Sequence, residues 1–424
     1  MSRFHRKQLI EALENERASR VLTYVTSDRA PAGAQIGDDA LRPIFDVLAT
    51  IGHVEKLDLF IYSRGGALEV PWRIASALRE ASNGWDILVP FRANSAATLL
   101  ALGADRILLG RHGELGPIDP ILSVTKAGPN ESTPAQDTIN VEDVMAYLRF
   151  AREEAGLSDQ DALARSLKTL TDRLDAVGLG SVYRVRTHIR DVARRMLTSR
   201  NEALTERAID TIIETLAEKV YAHGHAIGFG EAEEIGLSVE RPSPHVEDIM
   251  WQLLEAYEDQ MRIRHPLDSI AAIASTDRYS EKVTIAAVES SDSGFQFDGT
   301  IEVRAKRQFP ANLNVALNVA LQLPPGIDVA QLPAAVQQLL QQGQQALAQL
   351  AQQAVQEAIA QQAPLIGCDV GLRDGQWRNS DTPLAPNDVV PASGPTKIVE
   401  TPDAGGESGE DQPATTSQAG NTSE

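Results

Sequence analysis

The stretch "LDLFIYSRGGALEVPWRIASALREASNGWDILVPFRANSAATLLALGADRILLG", residues 57–110, decides the fold class. Two apolar segments, 57–62 and 85–91, are each followed by a short turn and then by a helical pattern. A third apolar segment, 105–110, closes the stretch. Because strands and helices alternate with short connections, the pattern predicts βαβ units and a mainly parallel sheet.

The same alternation covers the residues before this stretch. Residues 5–19 predict a helix, 20–27 the first strand and 38–52 a second helix. In that second helix Asp38 and Asp39 suit the N-terminus, and the apolar residues that follow recur at helical spacing.

The chain becomes mostly helical after the alternating region. Residues 137–222 predict helices with a glycine-containing break at "AVGLGSVYRV", 176–185. The α/β region closes near 231–237, and 244–262 predicts one more helix.

The C-terminal part has a different composition. Residues 281–308 predict a β-hairpin around "SSDSG". The Gln/Ala-rich segment 332–362 carries an apolar stripe of helical period, which predicts a helix packed on its own domain or on a neighbouring subunit, with a coiled coil as the alternative. The Pro-, Gly-, Ser- and acid-rich tail from 379 predicts disorder. We therefore expect three parts, which are a domain over 1–265, an α+β region over 280–378 and a tail over 379–424.

Composition excludes several classes of protein. The formal net charge of −20 argues against a general grip on nucleic acid or anionic lipid. The single cysteine rules out an intramolecular disulfide framework. The charged N-terminus lacks the apolar core of a signal peptide, and no apolar run approaches the ~20 residues that span a bilayer. We expect a cytoplasmic protein without a cofactor, a metal site or a membrane-spanning segment.

Two turns could carry chemistry. Gly65 and Gly66 follow a strand directly, where their backbone N–H groups could stabilise an oxyanion or merely form a tight turn. Ser95 follows the next strand and precedes a helix, so it is either a helix cap or a nucleophile; Asn94 could cap equally well. Adjacent parallel strands would place both turns, and the N–H of Ala96, at one edge of the sheet.

The strings "IYSRGG", "ANSAATLLALGADRILLG" and "GELGPIDP" resemble the Clp protease/crotonase fold. They are most similar to the serine dehydrogenase proteinase family and to relatives of signal peptide peptidase A. The resemblance covers about residues 18–240 and implies a spiral of ββα units with a helical insertion, followed here by the hairpin, the helix and the tail. It also implies Ser95 as nucleophile, a glycine-rich oxyanion turn at 65–66 and an oligomeric enclosure.

The general base is not assigned by these strings. Clp proteases carry a histidine about two dozen residues after the serine, where this chain has Asp119. Relatives of signal peptide peptidase A use a lysine from the helical region, where "GLGSVYRVR" offers arginines, which are poor bases. His223 and His225 are alternative bases, because histidine titrates near neutrality. His112 and the lysines at 126 and 168 remain weaker candidates.

Three hypotheses follow from the sequence. The first is a serine endopeptidase that acts on peptides or proteins as a homo-oligomer. The second is a non-catalytic scaffold or binding module of the same fold. The third is acyl-CoA chemistry, for which we find no adenine or phosphate signature.

Overall fold

A computed structural model describes residues 2–118, 121–126, 135–171, 176–219, 224–308 and 332–380. They lie in one compact unit, Met1–Val389; the second unit, Val390–Glu424, lies outside the described residues, as does nearly all of the tail predicted to be disordered. The helices are α1 (Arg3–Arg17), α2 (Leu41–Ile51), α3 (Val70–Ala81), α4 (Ala96–Leu102), α5 (Val141–Arg149), α6 (Gln160–Thr171), α7 (Ala176–Thr198), α8 (Glu206–Glu214), α9 (Phe229–Ile235), α10 (Pro244–Met261), α11 (Ser269–Ala272) and α12 (Ala334–Gln362). The strands are β1 (Arg20–Thr26), β2 (Val54–Tyr62), β3 (Ser82–Val89), β4 (Arg92–Ala93), β5 (Ile107–Leu109), β6 (Glu114–Leu115), β7 (Ile121–Lys126), β8 (Ala135–Asn140), β9 (Val239–Glu240), β10 (Arg278–Glu289), β11 (Gly294–Arg307) and β12 (Leu365–Asn379).

One eight-stranded sheet organises the molecule, in the order β12-β11-β10-β1-β2-β3-β5-β9. The strands β1, β2, β3, β5 and β9 pair in parallel, as the alternating pattern predicts. Alternate residues of β2 face opposite sides of the sheet: Leu59 and Ile61 join one hydrophobic core, and Phe60 and Tyr62 join the other. Burial on both faces explains why these strands read as continuous apolar runs, and the mixed α/β class is confirmed.

Helices cover both faces of the sheet. The helices α2, α3, α4 and α7 contribute to the larger core, whereas α1 and α10 pack together on the opposite face. Within the described part of the chain, no helix combines the length and the apolar composition that crossing a bilayer requires.

The predicted C-terminal hairpin is present as β10 and β11. Its first strand pairs antiparallel with β1, where Thr23 lies opposite Glu289. The Glu289 carboxylate is fully buried, accepts two bonds from Arg6 at 2.8 Å each and accepts one from the Tyr257 hydroxyl at 2.8 Å. The hairpin therefore extends the main sheet and is tied to α1 and α10. The predicted domain boundary between residues 265 and 280 stays a prediction.

The helical region predicted over 137–222 differs from the expectation in two places. Its first residues, 137–140, belong to β8. The break predicted at 176–185 was wrong, because α7 runs through Gly178 and Gly180. Each glycine costs a helix about 1 kcal/mol, but α7 buries Val182 and Ile189 among its apolar residues, and this packing outweighs local propensity.

The Gln/Ala-rich segment forms the predicted helix, α12. Its side chains Leu339 and Leu350 are 72% and 66% exposed, so the described part of the chain leaves this apolar stripe uncovered.

Candidate active site

The turns after β2 and β4 lie against each other. Gly65 has φ 105°, and a Cβ placed on it would lie 2.8 Å from Ser95 Cβ and 2.7 Å from the backbone oxygen of Asn94. A Cβ on Gly66 would lie 2.3 Å from the backbone oxygen of Ile36. Both positions therefore require glycine, the first because Ser95 occupies the space that a side chain would need.

Ser95 adopts a strained backbone conformation, with φ 53° and ψ −113°. Although it stands immediately before α4, its hydroxyl makes no capping bond, and the side chain is half-buried. A strained serine between a strand and a helix is the geometry of a nucleophile elbow, which presents Oγ to a substrate.

The neighbouring Asn94 does not cap α4 with its side chain either. Its backbone oxygen accepts a bond from the Ala97 N–H at 3.0 Å. Its Oδ1 is buried and has no hydrogen-bond partner within the described residues. The Ser95 hydroxyl and the neighbouring Asn94 Oδ1 thus both lack a hydrogen-bond partner within the described residues.

The buried hydroxyls of Ser63 and Thr26 form hydrogen bonds that hold the glycine turn in place. The Gly65 N–H donates to Ser63 Oγ at 3.0 Å, and Thr26 Oγ1 donates to the same oxygen at 2.8 Å. Because the Gly65 N–H is already engaged, it is not available to a ligand in this structure.

The backbone of Gly66 faces the other way. Ile36 donates its N–H to the Gly65 oxygen at 2.8 Å and accepts from the Ala67 N–H at 2.9 Å, so the N–H of Gly66 points away from Ile36. Neither this N–H nor that of Ala96 has a hydrogen-bond partner in the described part of the chain. Ala96 follows Ser95 in the chain, and Gly66 follows Gly65, the glycine that lies against Ser95.

A charged cluster holds the outer side of the glycine turn. Asp28 accepts bonds from the Tyr62 hydroxyl at 2.9 Å, from Arg64 at 2.8 Å and from Arg92 at 3.2 Å. Burial and the charge of Asp28 raise the pKa of Tyr62, so its hydroxyl remains a donor. The cluster fixes the residue that precedes the glycine pair.

Residues 113–118 of the string "GELGPIDP" lie on the opposite side of Ser95 from the glycine turn. The Gly116 N–H donates to the buried Thr98 Oγ1 at 3.0 Å, and a Cβ on Gly116 would lie 3.1 Å from Asn94 Cβ. Leu115 exchanges two backbone bonds with Ile227, at 3.0 and 2.9 Å. The candidate base Asp119 lies outside the described residues.

Two candidate histidines precede Ile227 in the chain. His225 is among the described residues, and His223 lies outside them. The Nε2 of His225 lies 2.9 Å from both carboxylate oxygens of Glu231, in the first turn of α9. Sequence reasoning missed Glu231, since a six-residue separation forms no recognised motif.

The remaining candidate bases lie in other environments. The exposed His112 ring packs 5.3 Å from the Trp251 ring, and Arg186 pairs with Glu142 at 3.3 Å. The lysines at 126 and 168 lie in β7 and α6. The described residues contain no group of three or more His, Cys, Asp or Glu side chains that could hold a metal ion.

The sequence around this geometry can be compared with known families. Residues 2–143 match the ClpP-like SDH-type serine proteinases. The family resemblance is confirmed over these residues, which include both turns and Ser95, and the mixed α/β sheet is consistent with a ClpP-like fold.

Two relatives of this chain are uncharacterized proteins of Methanocaldococcus jannaschii. MJ0137 is 23% identical over 265 residues, which cover 61% of this chain and 80% of the relative. MJ1495 is 27% identical over 121 residues, which cover 27% of this chain and 41% of the relative.

Proposed function

We propose that this protein is a serine peptidase whose nucleophile is Ser95. The observation that carries the proposal is a strained serine that lies against the glycine turn. Within the described residues, its hydroxyl and the N–H groups of Gly66 and Ala96 have no hydrogen-bond partner. The match to serine proteinases over residues 2–143 supports it.

In the proposed reaction, Ser95 Oγ attacks the carbonyl carbon of a peptide bond. The Gly66 and Ala96 N–H groups donate to the oxyanion, a type of interaction whose loss costs about 10²–10³-fold in kcat per donor. Gly65 contributes by its conformation, since its own N–H is held by Ser63. Asn94 Oδ1 is a buried acceptor that has no hydrogen-bond partner within the described residues.

The general base belongs to this proposal as well. Asp119, His223 and His225 remain its candidates. In the sequence Asp119 follows Leu115, and the two histidines precede Ile227, the residue that pairs with Leu115.

The arrangement of the rest of the chain completes the proposal. The ββα units form a Clp/crotonase-like spiral in a peptidase domain over 1–265, with its helical region at 137–222. Residues 280–378 form the C-terminal region, and the protein acts in the cytoplasm as a homo-oligomer on peptide or protein substrates.

Labelling with a fluorophosphonate probe tests the nucleophile. Wild-type protein should be labelled, and Ser95→Ala should not. Ser76→Ala is the matched control, because Ser76 is an exposed serine whose hydroxyl only bonds Trp72 O within α3. Equal labelling of wild type and Ser95→Ala would contradict the proposal.

A non-catalytic scaffold is the second candidate, and the exposed stripe of α12 is the observation that favours it. A scaffold would assemble through this stripe without hydrolysis. Replacing Leu339 and Leu350 by Asp should then disrupt assembly, seen by light scattering, in a protein that no fluorophosphonate labels.

A further inference from the structure

A short ladder of backbone pairs runs beside Ser95. Ser63 pairs with Ala93 in parallel, and Ala93 pairs with Leu115 in parallel. Leu115 then pairs with Ile227 in the antiparallel sense. Four chain segments that are far apart in sequence thus lie side by side.

The register of this ladder relates Ser95 to a histidine. Two residues beyond Ala93 is Ser95, two beyond Leu115 is Pro117, and two before Ile227 is His225. Because the pair Leu115–Ile227 is antiparallel, Ser95 and His225 leave the ladder at the same end, from Ala93 and Ile227, whose backbones are about two strand spacings, roughly 10 Å, apart.

From this register and the ion pair beyond it, we infer that His225 is the general base for Ser95 and that Glu231 is its positioning residue. The inference rests on the proposed function and selects one of its candidate bases. The Glu231 carboxylate, 2.9 Å from Nε2 through both oxygens, requires a hydrogen on that nitrogen in the neutral ring. The lone pair is then on Nδ1, which is the basic atom.

The proton follows a closed path. As the Ser95 Oγ–carbon bond forms, the carbonyl π electrons move to oxygen, and the hydroxyl proton passes to His225 Nδ1 directly or through one water. The same proton then goes to the leaving amine nitrogen as the carbon–nitrogen bond breaks. Water repeats the sequence on the acyl-enzyme, which returns Ser95 and releases the acid. Throughout, Glu231 stabilises the imidazolium and fixes the orientation of the ring.

The exposure of this pair makes the inference testable without unfolding the protein. The side chains of His225 and Glu231 are 44% and 37% exposed. Exposed ion pairs contribute little to stability, so neutral replacements should leave the unfolding midpoint nearly unchanged. A loss of reactivity would then report on chemistry.

The experiment measures the second-order rate constant of fluorophosphonate labelling and the hydrolysis of an unstructured protein substrate, casein, in full-length variants. His225→Ala should lower both about 10²–10⁴-fold, as for loss of a general base. Glu231→Gln should lower both by about tenfold, and Glu231→Asp should recover part of that loss. The double variant His225→Ala/Glu231→Gln should be no slower than His225→Ala, because Glu231 acts only through the imidazole.

His245→Ala is the matched control, since His245 is an exposed histidine paired with Glu16 at 3.6 Å on another helix, and its loss should change neither rate. Wild-type rates in His225→Ala, together with Ser95-dependent labelling, would overturn the base assignment and leave the proposed function intact. Multiplicative losses in the double variant would overturn the role of Glu231. Labelling that persists in Ser95→Ala would instead overturn the proposed function.

Discussion

Replacing Ser95 with glycine should stabilise the protein while it removes the hydroxyl. The backbone at φ 53° and ψ −113° is one that side chains with a Cβ rarely adopt, and such a conformation costs about 1–3 kcal/mol. Glycine relieves this strain but loses about 0.5–1 kcal/mol in chain entropy relative to alanine. From mid-range values of about 2 kcal/mol for the strain and about 0.75 kcal/mol for the entropy, we therefore expect Ser95→Gly to exceed Ser95→Ala by about 1 kcal/mol in free energy of unfolding.

The comparison of the two variants isolates the Cβ, because both lack the hydroxyl and neither should react with a fluorophosphonate. Urea unfolding followed by circular dichroism measures the difference as a shift of the midpoint at constant slope. Ser76 in α3 gives the opposite sign, since glycine at an exposed helix interior is about 1 kcal/mol less stable than alanine. A Ser95→Gly protein that is no more stable than Ser95→Ala would refute the assignment of strain to this residue.

Three further predictions concern the surroundings of the site and the sheet. Gly65→Ala should abolish labelling and lower the unfolding midpoint, because its Cβ would clash with Ser95, whereas Gly52→Ala, whose Cβ meets nothing within 4 Å, should only add strain and leave labelling intact. Ser63→Ala should cost about 1–3 kcal/mol in urea unfolding and slow labelling, since it leaves the buried Gly65 N–H without its acceptor. Glu289→Gln should cost about 3–5 kcal/mol because it leaves the buried Arg6 guanidinium without its carboxylate counter-charge. Burial alone would raise the pKa of Glu289, but the bonds from Arg6 outweigh burial and lower this pKa. The stability that the ionised carboxylate confers is therefore complete above its unfolded pKa of about 4.3 and is lost as the pH falls toward the folded pKa. The free energy of unfolding of the Gln variant should thus vary less below about pH 5 than that of wild type, and equal variation would contradict the assignment.

Much of the parallel sheet could be predicted from the sequence because burial on both faces leaves continuous apolar runs. The segments 57–62 and 85–91 correspond to the C-terminal part of β2 and to most of β3, and the glycine pair indicated the turn after β2. These signals are local, so one window of sequence contains them.

The details that decide chemistry were not local. The bond that Thr26 Oγ1 donates to Ser63 Oγ requires the ends of β1 and β2 to meet. No spacing in the sequence reports which N–H groups near Ser95 lack a hydrogen-bond partner within the described residues. The pairing of His225 with Glu231 depends on where α9 begins. The positive φ of Ser95 is likewise imposed by packing of both turns, since serine itself has no preference for it.

The pairing of β1 with β10 has a consequence for how the chain is made. Residues 20–26 leave the ribosome early, and the parallel strands that follow can begin to assemble beside them. The other edge of β1 waits for residues 278–289, which at ordinary rates of synthesis arrive roughly 15–50 s later. During that interval the backbone groups of β1 are open to pairing with any extended segment nearby, including β1 of another nascent copy. When β10 pairs with β1, this edge is covered and the Glu289 carboxylate can bond to Arg6, which was synthesised much earlier. The order of synthesis therefore sets the order in which the sheet becomes complete.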